Sequence, residues 1–271
     1  VEIGGQDHLQ AAEEGTSQAL EVQMRDAEGR PFWATTWISS VEIDDVPMWL
    51  LVASDTTEQR QLTERLSYQA SHDPLTRLFN RREFELRAQA LLSGSGRQVG
   101  ALLFIDLDQF KLINDTSGHG AGDELLVRLA MLMKENLRPH DMLARLGGDE
   151  FGVLLSGVRT TEEALQAAER MRAGIETFVF TWEGRNYTIS ASIGVVMLRS
   201  AASLKELFAH ADAACYLAKE AGRNRIHLYA EDDAAIARRM GEMEWANRIR
   251  DALNDGRLLL DYQELHPLRG E

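Results

Sequence analysis

The chain has 271 residues, 44% of them hydrophobic and 27% charged, which suits a globular protein of one full domain with parts of others. Its net charge of −14 argues against non-specific nucleic-acid binding, and any polyanionic substrate would depend on metal and on locally placed Lys or Arg. The single cysteine, Cys215, excludes an internal disulfide framework and a cysteine zinc site, fits a reducing compartment, and reads as buried filler in an apolar-periodic helix. No apolar run approaches the ~18–20 residues of a membrane span, so the expected location is cytoplasmic. The chain starts without Met and reads as an excerpt, which leaves membrane anchoring upstream open.

Residues 1 to 55 read as strands. Leu20-Glu21-Val22-Gln23-Met24 leads into a turn at Asp26-Ala27-Glu28-Gly29-Arg30-Pro31, followed by runs from 32 to 43 and from 48 to 53 rich in Trp, Thr and Ile. With Asp55-Thr56-Thr57 behind it, this stretch resembles the last strands of a PAS sensor domain, too short for a whole one. A scaffold that senses nothing is equally open, and the ligand is not readable. Asp55 with Glu58 marks a helix start, and residues 56–71 form a linker helix with Leu62, Leu66 and Ala70 on one face. That stripe suits pairing with a second copy, or packing on its own domain.

From Asp73 the pattern alternates. A helix is expected over about 76–92, a strand over 99–107, a short helix, then a long helix over 122–137 that buries Leu125, Leu126, Leu129, Leu132, Met133 and Leu137. Pro139 ends it. A hairpin follows around Gly147-Gly148. Thr160 with Glu163 caps a helix reaching about 178, a second hairpin turns at 183–186 into a strand over 187–197, and Ser203 with Glu206 caps a helix that stops at Gly222. A short strand over 226–229 completes the set. This order predicts an α/β (α+β) domain, a mixed sheet with helices on its faces, of ferredoxin-like or palm type.

The chemistry gathers at the first hairpin. Apolar residues flank Arg145-Leu146-Gly147-Gly148-Asp149-Glu150-Phe151 on both sides, and Gly-Gly supplies the positive φ angles of a tight turn. Phe104-Ile105-Asp106-Leu107-Asp108 is an apolar strand ending in acids. If the two strands pair, Asp106 and Asp149 or Glu150 converge at one sheet end, an oxygen-rich site for Mg²⁺ and a phosphate chain.

Gly147-Gly148-Asp149-Glu150-Phe151 resembles the signature of the GGDEF family, the diguanylate cyclases, which make cyclic di-GMP from two GTP. The resemblance covers roughly residues 73–229, through Asp73-Pro74-Leu75-Thr76-Arg77-Leu78-Phe79-Asn80-Arg81, Asp106-Leu107-Asp108-Gln109-Phe110-Lys111, Asn114-Asp115-Thr116-Ser117-Gly118-His119, Gly122-Asp123 and Lys219-Glu220-Ala221-Gly222-Arg223-Asn224, in the family's order and spacing. It implies that Asp106, the Leu107 carbonyl and Asp149 hold Mg²⁺ (or Mn²⁺), that Glu150 contributes to a second ion and counts with Asp149 among the catalytic residues, and that Asp149 accepts the proton. Gly147 and Gly148 let the backbone approach the nucleotide. Asn114 and Asp123 match the guanine readers; an amide and a carboxylate suit guanine, although each alone would more simply cap a helix. Lys219 and Arg223 match the phosphate-binding pair and share a face if their helix continues. Lys111 is placed near phosphate, and His119 is read as structural.

Arg138 and Asp141 form an Arg-x-x-Asp placed five residues before Gly147, where the family has its inhibitory product site. Arg170 is a further candidate contact there, and a surface ion pair is the plainer alternative. The implied active unit is a homodimer, since each domain presents one GTP. The expected organisation is therefore a partial PAS domain (1–55), a signalling helix (56–71), the GGDEF domain (72–230) and, over 231–271, a helix, turn and strand resembling the opening of an EAL phosphodiesterase domain, with Glu264 where that family has Pro. The main alternative to a cyclase is a catalytically weak GTP- or cyclic di-GMP-binding regulator of such a phosphodiesterase. A polymerase-like or nucleoside-cyclase relative and a purely structural dimerisation module are weaker, given Asn114, Asp123 and the retained acids.

Overall fold

The computed structural model describes residues 19–44, 46–93 and 99–231; the helix, turn and strand expected over 232–262 lie outside them. The chain divides into two compact units, Val1–Ser71 and His72–Glu271.

In the first unit, β1 (Ala19–Arg25), β2 (Pro31–Ile43) and β3 (Val46–Asp55) form an antiparallel meander in that order. The first turn is fixed by Asp26, whose carboxylate accepts from the amides of Glu28 and Arg30 at 2.9 Å each. Helix α1 (Thr57–Ser71) leaves the sheet at a defined point. The Thr56 amide donates to the Trp33 carbonyl, the Trp33 amide donates to Thr57 Oγ1, and the Arg60 guanidinium lies 3.9 Å over the Trp33 ring. The start differs from the sequence expectation: Asp55 accepts from the Thr57 amide two residues on, outside the helix, and Glu58 sits in the first turn. No residue of α1 is buried, and Leu62 and Leu66 are 49% and 64% exposed.

The second unit is built on a six-stranded mixed sheet. Its strands are β4 (Phe79–Asn80), β5 (Gly100–Asp108), β6 (Met142–Gly147), β7 (Glu150–Ser156), β10 (Ser190–Met197) and β11 (Ile226–Leu228), in the order β11-β10-β5-β7-β6-β4. The outer pairs β10·β11 and β4·β6 are parallel, and the inner pairs antiparallel. Strand β5 is buried at every position, as its unbroken apolar run requires of a central strand covered on both faces. Alternate residues serve two cores. Leu103, Ile105 and Leu107 pack with Leu125, Leu129 and Met133 of α4 (His119–Glu135) and with Ala164, Ala168 and Met171 of α5 (Thr161–Thr177). Leu102 and Phe104 pack with Phe84 and Ala88 of α2 (Arg81–Ser93) and with Leu207, Ala211 and Cys215 of α6 (Leu204–Glu220). A short α3 (Phe110–Ser117) follows β5 directly.

The helix caps expected at Thr160 and Ser203 form. Thr160 and Ser203 accept from the Glu163 and Glu206 amides, and each glutamate reaches back to the amide just before its cap residue. Two expectations need correction. The helix expected from 76 begins at Arg81, because Asp73 accepts from both the amide and hydroxyl of Thr76 and folds residues 73–77 into a turn, after which Phe79-Asn80 joins the sheet edge. The strand expected over 187–197 breaks at Ile189: β8 (Val179–Trp182) and β9 (Arg185–Thr188) form a separate ribbon, and β10 starts afresh. The α6 helix stops at Gly222 as expected: Ala221 is its cap, Gly222 follows with φ +117°, and the Gly222 and Arg223 amides donate to the Lys219 and Ala218 carbonyls.

Gly194 of β10 lies directly beneath α6, where a Cβ would overlap the Ala211 carbonyl and the Cys215 amide. Beside it, the Cys215 thiol donates to the Ser192 carbonyl at 3.3 Å, and burial pushes its pKa up to about 12. It is core filler, not a nucleophile.

Candidate active site

Three acids meet at the end of the central strands. Asp106 of β5 stands opposite Glu150 of β7 in register, and the Leu107 amide donates to the Asp149 carbonyl at 3.2 Å. The turn between β6 and β7 bends at Gly147 and Gly148, with φ of +154° and +48°, a backbone that L side chains rarely adopt. Neither glycine has anything within 4 Å of where a Cβ would stand, so the approach to this bend is open.

The turn is clamped by two arginines. Arg145 donates from Nε and Nη2 to the Gly148 carbonyl at 3.0 and 2.9 Å, and from Nη1 to the Asp73 carboxylate at 3.2 Å. Arg81 donates to the Leu146 carbonyl at 3.0 Å and reaches Glu150 at 3.4 Å. Burial would raise the Asp73 pKa, but the Thr76 hydrogen bonds and the Arg145 charge prevail and hold it below the ordinary value.

The acids themselves are perturbed. Asp106 is only 9% exposed; burial raises its pKa, opposed by Lys219 and reinforced by the charges of Asp149 and Asp108. Burial likewise raises Glu150, with Arg81 opposing and Asp106, Asp149 and Asp212 adding to the rise. Lys219 Nζ lies 2.5 Å from Asp106 Oδ2. Burial disfavours its ammonium, but the hydrogen bond and charge of Asp106 outweigh this and raise its pKa. Among the described residues, no three His, Cys, Asp or Glu side chains are gathered closely enough to hold a metal ion. The donor chemistry nonetheless fits a hard divalent cation: carboxylates at a strand end, partly dried, beside an open backbone.

Asp108, two residues on, has a different task. It accepts from Ser190 and Ser192 hydroxyls at 2.7 Å each and from the Asn224 amide at 3.0 Å. Asn224 is held again through its side chain by Arg172 and Glu176. These bonds fix the loop after α6, where Arg223 and Asn224 both carry positive φ (+61° and +46°). Arg223 therefore lies beyond the helix and does not share a helical face with Lys219; its amide donates to the Ala218 carbonyl as the chain turns back.

Asn114 of α3 packs against Gly122 of α4 so closely that a Cβ at Gly122 would overlap the Asn114 amide. Asp123 is the next residue and is exposed, so the two guanine-reader candidates share one corner between α3 and α4. Gln109 precedes helix α3 with φ +60° and offers no side-chain cap; the Leu112 amide of the first turn donates instead to the Gln109 carbonyl at 2.9 Å. Lys111 is exposed on α3, and no contact ties it to the acids; His119 opens α4 and is exposed.

Arg138 and Asp141 face one another across the bend between α4 and β6. Asp141 accepts from the Arg138 amide and the Ser156 amide at 3.1 Å each, so its carboxylate also holds the bend. Arg138, Asp141, Arg77, Lys134 and Phe79 line a cleft of about 340 Å³. Arg170, exposed on α5, lines no part of it.

Sequence reasoning did not assign roles to Arg81, Arg145, Asp73, Asp108 or Asp212. Arg145 stood next to the signature and Arg81 inside a quoted motif. Their partners are backbone carbonyls and distant acids, which spacing alone does not reveal.

Comparison with known proteins gives a consistent result. The family described as "Diguanylate cyclase, GGDEF domain" matches residues 70–225. Probable diguanylate cyclase DgcE of Escherichia coli K12 is 46% identical over 189 residues, 69% of this chain and 17% of that protein. Cyclic di-GMP phosphodiesterase PdeB of Shewanella oneidensis is 37% identical over 222 residues, 82% of this chain and 25% of that protein. The chain thus spans a quarter or less of the length of these two relatives. A solved fragment of Pseudomonas aeruginosa PA1120 (TpbB or YfiN) comprising only the GGDEF domain is 38% identical with a TM-score of 0.58, covering 62% of this chain and 99% of that one. With more than half its residues matched, and with the turn and flanking acids in place, the chain belongs to the GGDEF family of diguanylate cyclase domains.

Proposed function

We propose that the chain condenses two GTP into cyclic di-GMP, releasing two pyrophosphates. The observation that carries this reading is the register Asp106–Glu150 with the Leu107–Asp149 bond, which brings three acids to one sheet end beside a bare turn. Divalent metal held by Asp106, Asp149, Glu150 and the Leu107 carbonyl would supply Lewis acidity at the α-phosphate and a lowered pKa at the attacking 3′-hydroxyl. The chain's own groups do the rest. Asp149 accepts the hydroxyl proton, Lys219 and Arg223 neutralise the phosphates, Lys111 lends charge nearby, and Gly147 and Gly148 leave room for the nucleotide. Asn114 and Asp123 select guanine: a carboxylate accepts from its N1–H and N2–H₂ and would repel the N1 acceptor of adenine.

The product requires two nucleotides facing each other, so the working unit is a homodimer with one half-site per subunit. The exposed Leu62 and Leu66 on α1 support a pairing surface in the signalling helix, which would carry input from the PAS-like strands (1–55) to the GGDEF domain (72–230). A complex of a related Caulobacter crescentus GGDEF protein, 26% identical, contains c-di-GMP. The cleft with Arg138 and Asp141 is the proposed product site here. Arg138→Ala is expected to keep synthesis within about twofold while abolishing inhibition by added cyclic di-GMP; unchanged inhibition would discard the site.

The resemblance to PdeB favours a second reading, a nucleotide-binding regulator of an attached phosphodiesterase. Incubating the purified chain with GTP and Mg²⁺ separates the two. Cyclic di-GMP formation, not matched with ATP, supports the cyclase; GTP binding without turnover supports the regulator.

A further inference from the structure

We propose that Lys219 holds the place of the divalent cation at Asp106 in the nucleotide-free chain, so that metal and nucleotide bind as a coupled pair. The inference rests on the reading of Asp106 as a metal ligand, and deepens it.

The acid end is already partly neutralised from within. Lys219 Nζ sits 2.5 Å from Asp106 Oδ2, and Arg81 reaches Glu150. A metal arriving alone must therefore displace an ammonium from a buried carboxylate, exchanging one cation for another with little gain.

The two basic residues differ in how they are held. Arg81 is fixed by its bond to the Leu146 carbonyl, a part of the turn itself. The Lys219 ammonium has no other hydrogen-bond partner among the described residues, lies in the last turn of α6, and its side chain is about one-third exposed. Its charge rides on a flexible four-carbon stem, so its head can move by several ångströms with no change of backbone. A triphosphate offers it a stronger partner. Once the phosphates take the ammonium, Asp106 is left buried with no counter-charge, and a divalent cation becomes the favoured occupant. By linkage, the nucleotide must then tighten metal binding by the same factor as metal tightens nucleotide binding.

The test is Mn²⁺ binding to the nucleotide-free protein, followed by calorimetry and by electron paramagnetic resonance of unbound Mn²⁺. Lys219→Met keeps the stem and removes the charge. It is expected to bind Mn²⁺ at least about tenfold more tightly than the wild type, and Asp106→Asn added to it should abolish the gain. Lys219→Gln serves if the Met variant does not fold, as judged by circular dichroism. In the wild type, a GTP analogue with a methylene in place of the α,β-bridging oxygen should bind more tightly with Mn²⁺ present than without it, and this dependence should shrink in the variant. Equal Mn²⁺ affinity in the two proteins overturns the surrogate role while leaving Asp106 a ligand. No Mn²⁺ binding by either protein, with or without analogue, overturns the metal site itself.

Discussion

Asp149→Ala is expected to lower the rate of cyclic di-GMP formation by about 10³-fold or more, with the folded structure retained. The two halves of that result have separate causes. The link between the turn and β5 uses the Asp149 carbonyl, which accepts from the Leu107 amide and survives the substitution. The arginine clamps use the carbonyls of Leu146 and Gly148, which also survive. Only the carboxylate is lost, and with it a proton acceptor and a ligand for the cation. The check is a turnover assay beside a thermal melt. A variant that unfolds with the wild type yet keeps more than a tenth of its rate would remove Asp149 from the chemistry.

Gly194→Ala should have the largest effect on stability. The added methyl has no free space, since it would meet backbone atoms at Ala211 and Cys215 rather than a movable side-chain end. Relief requires α6 to lift from β10, which disturbs Leu207, Ala211 and Cys215 in one core. Overpacking of this kind costs about 3 kcal/mol, equivalent to about 6–12 °C in midpoint for a unit of this size. Because Lys219 rides on the same helix, the variant should also lose nucleotide affinity. A melt within about 2 °C of the wild type would show that the helix–sheet contact yields more easily than its geometry indicates.

Most of the second unit was legible because its signals are local. Thr160 with Glu163 and Ser203 with Glu206 announce helices through bonds three residues apart, and both form. The continuous apolar run before Asp106 announces a doubly covered strand. The errors arose where a distant partner decides. Residues 76–80 have helical neighbours, but Asp73 closes a turn over them and the edge of β6 takes Phe79 and Asn80. Residues 187–197 read as one strand because nothing in their own composition marks the change of partner at Ile189. At the site, Asp106, Asp149 and Glu150 could be placed at one sheet end from the pairing of two strands. That Lys219 would rest on Asp106, and that Asp108 would secure the loop carrying Arg223, depends on α6 and β10 arriving from more than eighty residues away.

The arginine clamps bear on how a peptide without side chains can serve as a working surface. Gly147 and Gly148 leave the bend uncrowded, but the same bareness denies it any packing of its own. Its stiffness is imported: two guanidinium forks, one rooted in α2 and one in β6, grip carbonyls on either side. A lysine at either place would bring the charge without the planar fork. The bend is thus open above and braced from the side, and its firmness belongs to residues outside it.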